Sequence, residues 1–221
     1  MAKRKDKKRT AQLFSDLLKM SAREPAPNAT HELTRLGKFR FQLLHQWLVE
    51  IFAPCRVADI GGGKGLLAYL LQQSGWDATV IDPGFQTLPD KYKDLTTDKR
   101  VRIAPTERVP HRDVAFESSM AHDFDLLVGM HAHGCNVKII DGAVASGASF
   151  VLLPCCIIDE PVYPPRGVHW LQCLVDYAID QGCAVQPFRL NFGGQNIGFY
   201  STSPNLQIPG FLEKPGISVS D

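Results

Sequence analysis

The chain has 221 residues and a formal net charge of +1. This length suits one α/β domain with a modest extension, and the near-zero charge of the whole molecule indicates neither a nucleic-acid nor a membrane partner. No apolar stretch is long enough to cross a bilayer. The six cysteines are too few and too scattered for the disulfide framework of a small secreted domain, so we expect a reducing, cytoplasmic environment.

The N-terminus carries an uneven share of the charge. Six of the first nine residues are Lys or Arg, and only Asp6 opposes them. The run lacks the apolar segment of a secretory signal. We interpret it as a mobile, solvated tail; the alternative is an arm that binds phosphates, because clustered cations release counterions from RNA or DNA.

Two helices are predicted before the first strand. Apolar spacing predicts a short helix over residues 11–20 and, after a proline-rich break at residues 24–28, a longer helix over residues 32–52. Thr30 is the expected N-cap of the longer helix. We assign residues 1–54 to a basic tail and a helical N-terminal extension.

From residue 56 onward, short apolar runs alternate with amphipathic segments. Strands are predicted over residues 56–60, 78–81, 100–103, 125–130 and 149–153, and helices over residues 66–74, 137–145 and 168–181. Two more strands, over 184–191 and 197–202, flank a glycine-rich hairpin signal at residues 193–196. The pattern predicts a mostly parallel sheet covered by helices, with an antiparallel C-terminal hairpin. The domain is expected to span residues 55–205, followed by an irregular tail over 206–221.

A glycine-rich turn follows the first predicted strand, in the order Asp59-Ile60-Gly61-Gly62-Gly63-Lys64-Gly65. Its glycines allow a tight turn and let a ligand approach the backbone. Asp59 is expected either to accept hydrogen bonds near a cationic amino group or to hold the turn. Asp82 ends the second predicted strand, at about the distance where an acid binds a ribose in such folds.

Two other nucleotide-binding motifs fit this turn poorly. Dehydrogenases use Gly-x-Gly-x-x-Gly to bind a pyrophosphate at a helix N-terminus, whereas Gly61, Gly63 and Gly65 alternate and follow an acid that opposes a pyrophosphate. A Walker A loop is excluded because Lys64 is not followed by the Ser or Thr that binds magnesium.

The sequence Asp59-x-Gly61-x-Gly63-x-Gly65, followed by Asp82, resembles motif I and the next acid of class I S-adenosylmethionine-dependent methyltransferases. The resemblance covers residues 57–202. It implies a Rossmann-like fold and S-adenosylmethionine as cofactor, with residues 61–65 backing the methionine part and Asp82 binding the ribose. In this family the adenine pocket usually follows the third strand, and we expect Asp123, which lies between that segment and the fourth strand, to contribute to it.

The segment Met130-His131-Ala132-His133-Gly134-Cys135 follows the fourth predicted strand, where this family keeps catalytic groups. The Asp/Asn-Pro-Pro-aromatic motif of enzymes that methylate adenine amino groups is absent. The segment is similar to the His-x-Cys-Gly segment of a subgroup of methyltransferase-like proteins, some of which modify RNA or ribosomal proteins, with His133 in place of the cysteine. His131 or His133 is a candidate general base; the alternative is that His131 shapes the cofactor pocket by hydrogen bonding.

Cys155 and Cys156 follow the fifth predicted strand, where the same subgroup often carries paired cysteines. Because the fourth and fifth strands are neighbours in this fold, we expect these thiols to converge with His131, His133 and Cys135. Cys155 is a candidate nucleophile for attack on a pyrimidine ring. The other interpretations are a zinc site, although the spacing matches no closed structural site, and buried, inert thiols. We expect reduced cysteines and no metal.

A proline-rich, aromatic segment over residues 159–170 is expected to form a lid at the ligand end of the sheet. Tyr163, Arg166, His169 and Trp170 are candidates for stacking on a base or clamping it. The alternative for Trp170 is that it begins the core face of the next helix.

These observations predict an S-adenosylmethionine-dependent methyltransferase. RNA is the leading acceptor, because of the basic tail and the subgroup resemblance. The alternatives are a protein or small-molecule acceptor, or a non-catalytic domain that binds the cofactor and a partner.

Overall fold

The computed structural model describes residues 39–204 and residue 206. The helix predicted over residues 11–20, Thr30, the first part of the helix predicted over 32–52, and nearly all of the predicted C-terminal tail lie outside the described residues. The helices are α1 (Arg40–Ile51), α2 (Leu66–Gln73), α3 (Asn136–Ser146) and α4 (Trp170–Asp180), with a 3-10 helix at Ser118–Asp123. In the part of the chain that is described, none of these helices has the length and apolar character needed to cross a membrane.

The strands are β1 (Arg56–Ile60), β2 (Asp77–Ile81), β3 (Lys91–Lys93), β4 (Arg100–Arg102), β5 (His111–Arg112), β6 (Leu126–Met130), β7 (Ser149–Leu153), β8 (Val185–Arg189) and β9 (Ile197–Ser201). Seven of them form one sheet in the order β5-β2-β1-β6-β7-β9-β8. The first five in that order run parallel, and β9 is antiparallel to both of its neighbours. The predicted Rossmann-like fold, mostly parallel with an antiparallel C-terminal hairpin, is confirmed.

The predicted third strand forms, but it does not belong to the main sheet. Residues 100–102 do form a strand, β4, but it pairs antiparallel with β3 in a separate two-stranded ribbon. In chain order, the third strand of the main sheet is β5, which pairs with the end of β2. A two-residue strand directly after Pro110 has no periodicity to reveal it, because its pairing with β2 alone defines it.

The central strands β1, β6 and β7 are almost entirely buried, as expected of parallel strands covered on both faces. On one face, α1 and α2 bury Leu44, Leu48 and Leu67 against the sheet. Trp47 of α1 also stacks on Phe188 of the hairpin, with ring centroids 4.0 Å apart. The described part of the predicted N-terminal helix therefore belongs to the hydrophobic core of the domain.

The opposite face is covered by α3, α4 and the 3-10 helix, which bury the second large cluster of apolar side chains, including Phe116, Ile140, Phe150, Leu174 and Phe199. Each fully buried side chain of this size contributes about 1.5–3 kcal/mol relative to exposure. The two clusters fix the sheet rigidly between helices. The carboxyl ends of its strands therefore form a stable platform for a site.

Candidate cofactor and catalytic site

The turns that carry the predicted motifs meet at one edge of the sheet, the carboxyl ends of the parallel strands. After β1, the amide of Gly61 donates a hydrogen bond of 2.9 Å to the carbonyl of Ile81 at the end of β2. After β6, the amide of His131 donates to the carbonyl of Leu153 at the end of β7, at 3.0 Å. Strand order reverses between β1 and β6, and doubly wound sheets bind ligands in the crevice at such a point.

Asp82 holds the glycine turn in place. Its Oδ2 accepts a hydrogen bond of 3.0 Å from the amide of Gly63, and its Oδ1 accepts one of 2.8 Å from the amide of Gly84. A carboxylate has about four acceptor sites, so each oxygen retains capacity for a further donor. Asp82 is half-buried, so that capacity is open to a ligand.

The backbone of the turn requires glycine at two points. Gly61 has φ +66°, and a Cβ there would lie 3.1 Å from the Cβ of Ala132. Gly65 has φ +74° and immediately precedes α2; a Cβ there would lie 2.8 Å from Val109. Glycine is the residue that adopts this left-handed conformation without strain. Any larger residue would change the shape of the turn.

Asp59 lies beneath the turn and not at its surface. It is 2% exposed, and its Oδ2 accepts a hydrogen bond of 3.3 Å from the amide of Ala68 in α2. A Cβ on Gly62 would lie 2.5 Å from the same oxygen. Burial raises the pKa of Asp59 to about 7, with a smaller contribution from the charge of Asp82. This geometry favours the interpretation that Asp59 holds the turn.

Among the described residues, His131 is one of three non-glycine residues with positive φ, at +57°. Its Nε2 lies 3.2 Å from the carbonyl oxygen of Gln195, at the tip of the C-terminal hairpin. A carbonyl only accepts, so Nε2 donates and the neutral ring presents Nδ1 as an acceptor. Burial lowers the pKa of His131, and the hydrogen bond to Gln195 opposes this shift. Strained backbone at the end of a central strand is typical of functional sites.

Arg40 approaches the same place from the first turn of α1. Its charge contributes to the lowered pKa of His131. The Nε of Arg40 is buried and has no hydrogen-bond partner among the described residues.

His133, Cys155 and Cys156 form a cluster at the ends of β6 and β7. The Nε2 of His133 is 3.1 Å from the Sγ of Cys155, which is 3.4 Å from the Sγ of Cys156. Burial raises the pKa of Cys155 to about 11, and the hydrogen bond with Cys156 adds to this. Cys135 lies apart from this group and immediately precedes α3.

A buried acid that the sequence analysis missed connects the two loops. Glu160 is 3% exposed, and its carboxylate accepts from the amide and side chain of Asn136, at 2.9 and 2.5 Å, and from the amide of Val137 at 3.2 Å. These donors are at the first turn of α3, where backbone amides lack helical partners. Glu160 therefore caps α3 from the loop after β7; no local pattern predicts a cap that is 24 residues away.

The structure does not bring Asp123 to this edge. Asp123 ends the 3-10 helix and pairs with Arg112 at 2.7 Å. Two residues later, the amide of Asp125 donates to the carbonyl of Arg56, the first residue of β1, so this segment runs at the amino ends of the strands. Asp113, in contrast, directly follows β5, next to the hydrogen bond between Asp82 and Arg112.

In the predicted lid, Tyr163 is 71% exposed and Arg166 is also exposed. His169 is used as the N-cap of α4, where its side chain accepts from the amide of Leu171 at 3.2 Å. Trp170 begins α4 and packs against the core, which agrees with the structural interpretation of this residue.

The sheet order, the glycine turn and the acid after β2 together decide the assignment of the fold. The chain has a Rossmann-like α/β fold with a mostly parallel sheet and an antiparallel C-terminal hairpin. The similarity to the subgroup with a His-x-Cys-Gly segment stays a prediction.

Comparison with known proteins gives a limited match. No family model matches the sequence. A probable tRNA (uracil-O(2)-)-methyltransferase of Caenorhabditis elegans is 32% identical over 103 residues, which is 47% of this chain and 17% of the relative. The chain thus spans about a sixth of the length of that relative.

Among solved structures, monomeric WbdD is 15% identical with a TM-score of 0.39, over 82% of this chain and 42% of WbdD. A second WbdD structure, described as a bifunctional kinase-methyltransferase, is 13% identical with a TM-score of 0.35, over 76% and 39%. At these scores the likeness supports no inference about function.

Proposed function

We propose that this class I methyltransferase-like chain transfers a methyl group from S-adenosylmethionine to RNA. The observation that carries the cofactor assignment is Asp82, which holds the glycine turn through two backbone hydrogen bonds and keeps acceptor capacity toward the crevice. The C. elegans relative, which is named for a tRNA acceptor, supports RNA as the acceptor class.

The residues at the crevice fit the cofactor. Gly61 and Gly65 keep the turn in a tight conformation in which a Cβ would meet Ala132 or Val109, and Asp82 accepts from ribose hydroxyls. Asp113 directly follows β5, the third strand of the main sheet in chain order. We therefore assign Asp113, in place of Asp123, to the binding of adenine. Arg40 provides a cation for the carboxylate of the methionine part, and its Nε has no partner among the residues that the structure describes. S-adenosylmethionine supplies an electrophilic methyl group on a sulfonium.

We assign the proton-accepting role to His131. Its ring is fixed by the hydrogen bond from Nε2 to Gln195, so that Nδ1 is the nitrogen left to accept a proton from the acceptor group. The raised pKa of Cys155 favours a thiol over a thiolate near neutral pH, which argues against its role as a nucleophile. His133 and Cys155 remain beside the site as a pair.

A basic face on the β3–β4 ribbon supports an RNA acceptor. Lys91 lies directly opposite Arg102, and Lys93 lies opposite Arg100. Like charges in opposite positions destabilise an antiparallel pair, and an anion bound across them relieves this repulsion. Lys93 pairs with Asp98, whereas the other three cations have no carboxylate partner within the described part of the chain.

The ribbon is also placed to receive a nucleic acid. Its other face packs on α2, where Tyr92 contacts Tyr69 with ring centroids 6.3 Å apart. The basic face borders a cavity of about 520 Å³ that is also lined by Phe39 and Gln42. The Oε1 of Gln42 is buried with no partner among the described residues. Cations for phosphates together with aromatic and amide groups suit single-stranded RNA.

The test is to incubate purified full-length protein with labelled S-adenosylmethionine and separate RNA, protein and small-molecule fractions of a cell extract. We expect the label in RNA, and its loss in Asp82→Ala. Label in protein or metabolites alone refutes the RNA acceptor. Cofactor binding without transfer to any fraction favours the non-catalytic alternative. Deleting residues 1–10, which lie outside the described residues, should flatten the salt dependence of RNA binding without changing cofactor affinity.

A further inference from the structure

We propose that His133, Cys155 and Cys156 bind a zinc ion that joins the loops after β6 and β7. This departs from the expectation based on spacing along the chain, which matches no closed zinc site. The three donor atoms, one nitrogen and two sulfurs, all lie within 4.8 Å of one another. Two cysteines and one histidine, with water in the fourth position, form a known donor set for zinc.

The distances leave room for an ion with only a small adjustment. Tetrahedral zinc with ordinary Zn–S and Zn–N bonds holds two sulfurs about 3.8 Å apart and a sulfur and a nitrogen about 3.6 Å apart. The corresponding separations here are 3.4 Å between the sulfurs of Cys155 and Cys156 and 3.1 Å between Cys155 and His133. These two pairs need to spread by only a few tenths of an ångström, and the third pair, His133 with Cys156, lies within 4.8 Å.

The backbone explains how two consecutive cysteines can face the same ion. Side chains of consecutive residues in a strand point to opposite faces. The strand β7, however, ends at Leu153, and Pro154 precedes the pair, so Cys155 and Cys156 lie in irregular structure. Their thiols therefore come together on one side of the loop.

The two loops are already held against each other before any ion binds. Glu160 caps α3 from the loop after β7. Gly134, with φ +67°, approaches the same loop so closely that a Cβ there would lie 3.0 Å from the Cβ of Asp159. A pre-arranged site loses less conformational freedom on binding than one assembled from mobile loops.

The donor atoms of the cluster contact one another. Within the described ranges, Cys155 is the only hydrogen-bond or ion-pair partner of the donor atoms of His133 and Cys156. Burial and the neighbouring thiol raise the pKa of Cys155, which favours its protonated thiol without an ion. Zinc binds cysteine as the thiolate, so the thiol protons leave to solvent when the ion binds.

The proposal is tested by metal binding and so is independent of the proposed methyl transfer. Full-length protein, with any affinity tag removed, is purified under reducing conditions without chelator. We expect zinc close to one equivalent per chain, and a thiolate-to-cobalt charge-transfer band when cobalt replaces it. Cys155→Ser, Cys156→Ser and His133→Ala should each weaken cobalt binding by more than the about 10- to 100-fold typical of losing an outer-shell partner.

Two further variants separate metal binding from folding. Cys183→Ser removes a half-buried cysteine outside the cluster and should bind cobalt like the wild type. His133→Cys keeps a metal donor at the same position and should retain binding, with a stronger charge-transfer band from a third thiolate. A wild-type protein that holds no zinc and gives no cobalt band overturns the proposal. So does unchanged cobalt affinity in Cys155→Ser and Cys156→Ser.

Discussion

Replacing Asp82 by alanine tests the cofactor assignment most directly. The variant removes the acceptor of the amides of Gly63 and Gly84, which now lie 3.0 and 2.8 Å from the carboxylate. It also removes the proposed acceptor of the ribose hydroxyls. Hydrogen bonds to a charged group contribute about 1.5–3 kcal/mol, so we expect S-adenosylmethionine affinity to fall about 10- to 150-fold.

The assay is calorimetric titration of S-adenosylmethionine into purified wild type and variants. Asp77→Ala is the matched control, because Asp77 is an exposed acid at the opposite end of the same strand, and its removal should leave affinity unchanged. Asp82→Asn retains one oxygen acceptor but puts an amide donor against one of the glycine amides, so it should bind between wild type and Asp82→Ala.

Three results would refute this reasoning. Wild type that binds NAD in preference to S-adenosylmethionine contradicts the cofactor assignment. Asp82→Ala with unchanged affinity shows that the carboxylate does not bind the ribose. Loss of binding in Asp77→Ala as well would show that β2 tolerates no change, and circular dichroism of both variants distinguishes that outcome from a local effect.

Three further predictions concern stability and RNA binding. Glu160→Ala leaves the buried amides at the start of α3 without their acceptor. The free energy of unfolding measured by urea denaturation should therefore fall by about 1–3 kcal/mol. A decrease below about 0.5 kcal/mol would contradict the capping role. Burial raises the pKa of Asp59 from 3.8 to about 7, so the native state binds the proton more tightly than the unfolded chain, and its contribution to stability falls as pH rises through this range. Asp59→Asn should flatten that decline when unfolding free energies of the two proteins are compared without cofactor, and parallel pH profiles would contradict it. Replacing Lys91 and Arg102 by alanine should reduce the slope of log RNA affinity against log salt concentration by about 0.7 for each phosphate that the variant no longer neutralises. Arg108→Ala is the control, because the guanidinium of Arg108 binds backbone carbonyls, and it should leave this slope unchanged.

The parts of the fold that the sequence predicted well are those defined by local patterns. The strands β1 and β7 have the predicted bounds, and the strand-to-helix turn with its alternating glycines lies where motif and spacing placed it. A continuous apolar run or a glycine with positive φ is a property of neighbouring residues. The strand β5 escaped prediction because only its two pairs with β2 define it, His111 with Val80 and Arg112 with Ile81, each across 31 positions.

Within the candidate site, too, features set by neighbouring residues were predicted, and features set by distant contacts were not. Asp82 was predicted from its place after a strand, but the burial of Asp59 beneath Gly62 depends on how the turn folds back over β1. The hydrogen bonds of His131 with Gln195 and of Glu160 with α3 join distant segments. No periodicity or spacing encodes such interactions, since each requires the packed sheet to exist first.

The histidine–cysteine cluster shows how far strand pairing can carry a prediction across the chain. Met130 and Leu153 are partners in the register of β6 and β7, so residues shortly after each strand leave the sheet side by side. His133 is three positions past Met130, and Cys155 is two positions past Leu153, which places their side chains at 3.1 Å. Parallel pairing thus predicts that these side chains meet, whereas the shared position of both thiols depends on the irregular loop after Pro154. That is why spacing along the chain argued against a metal, while the arrangement in space argues for one.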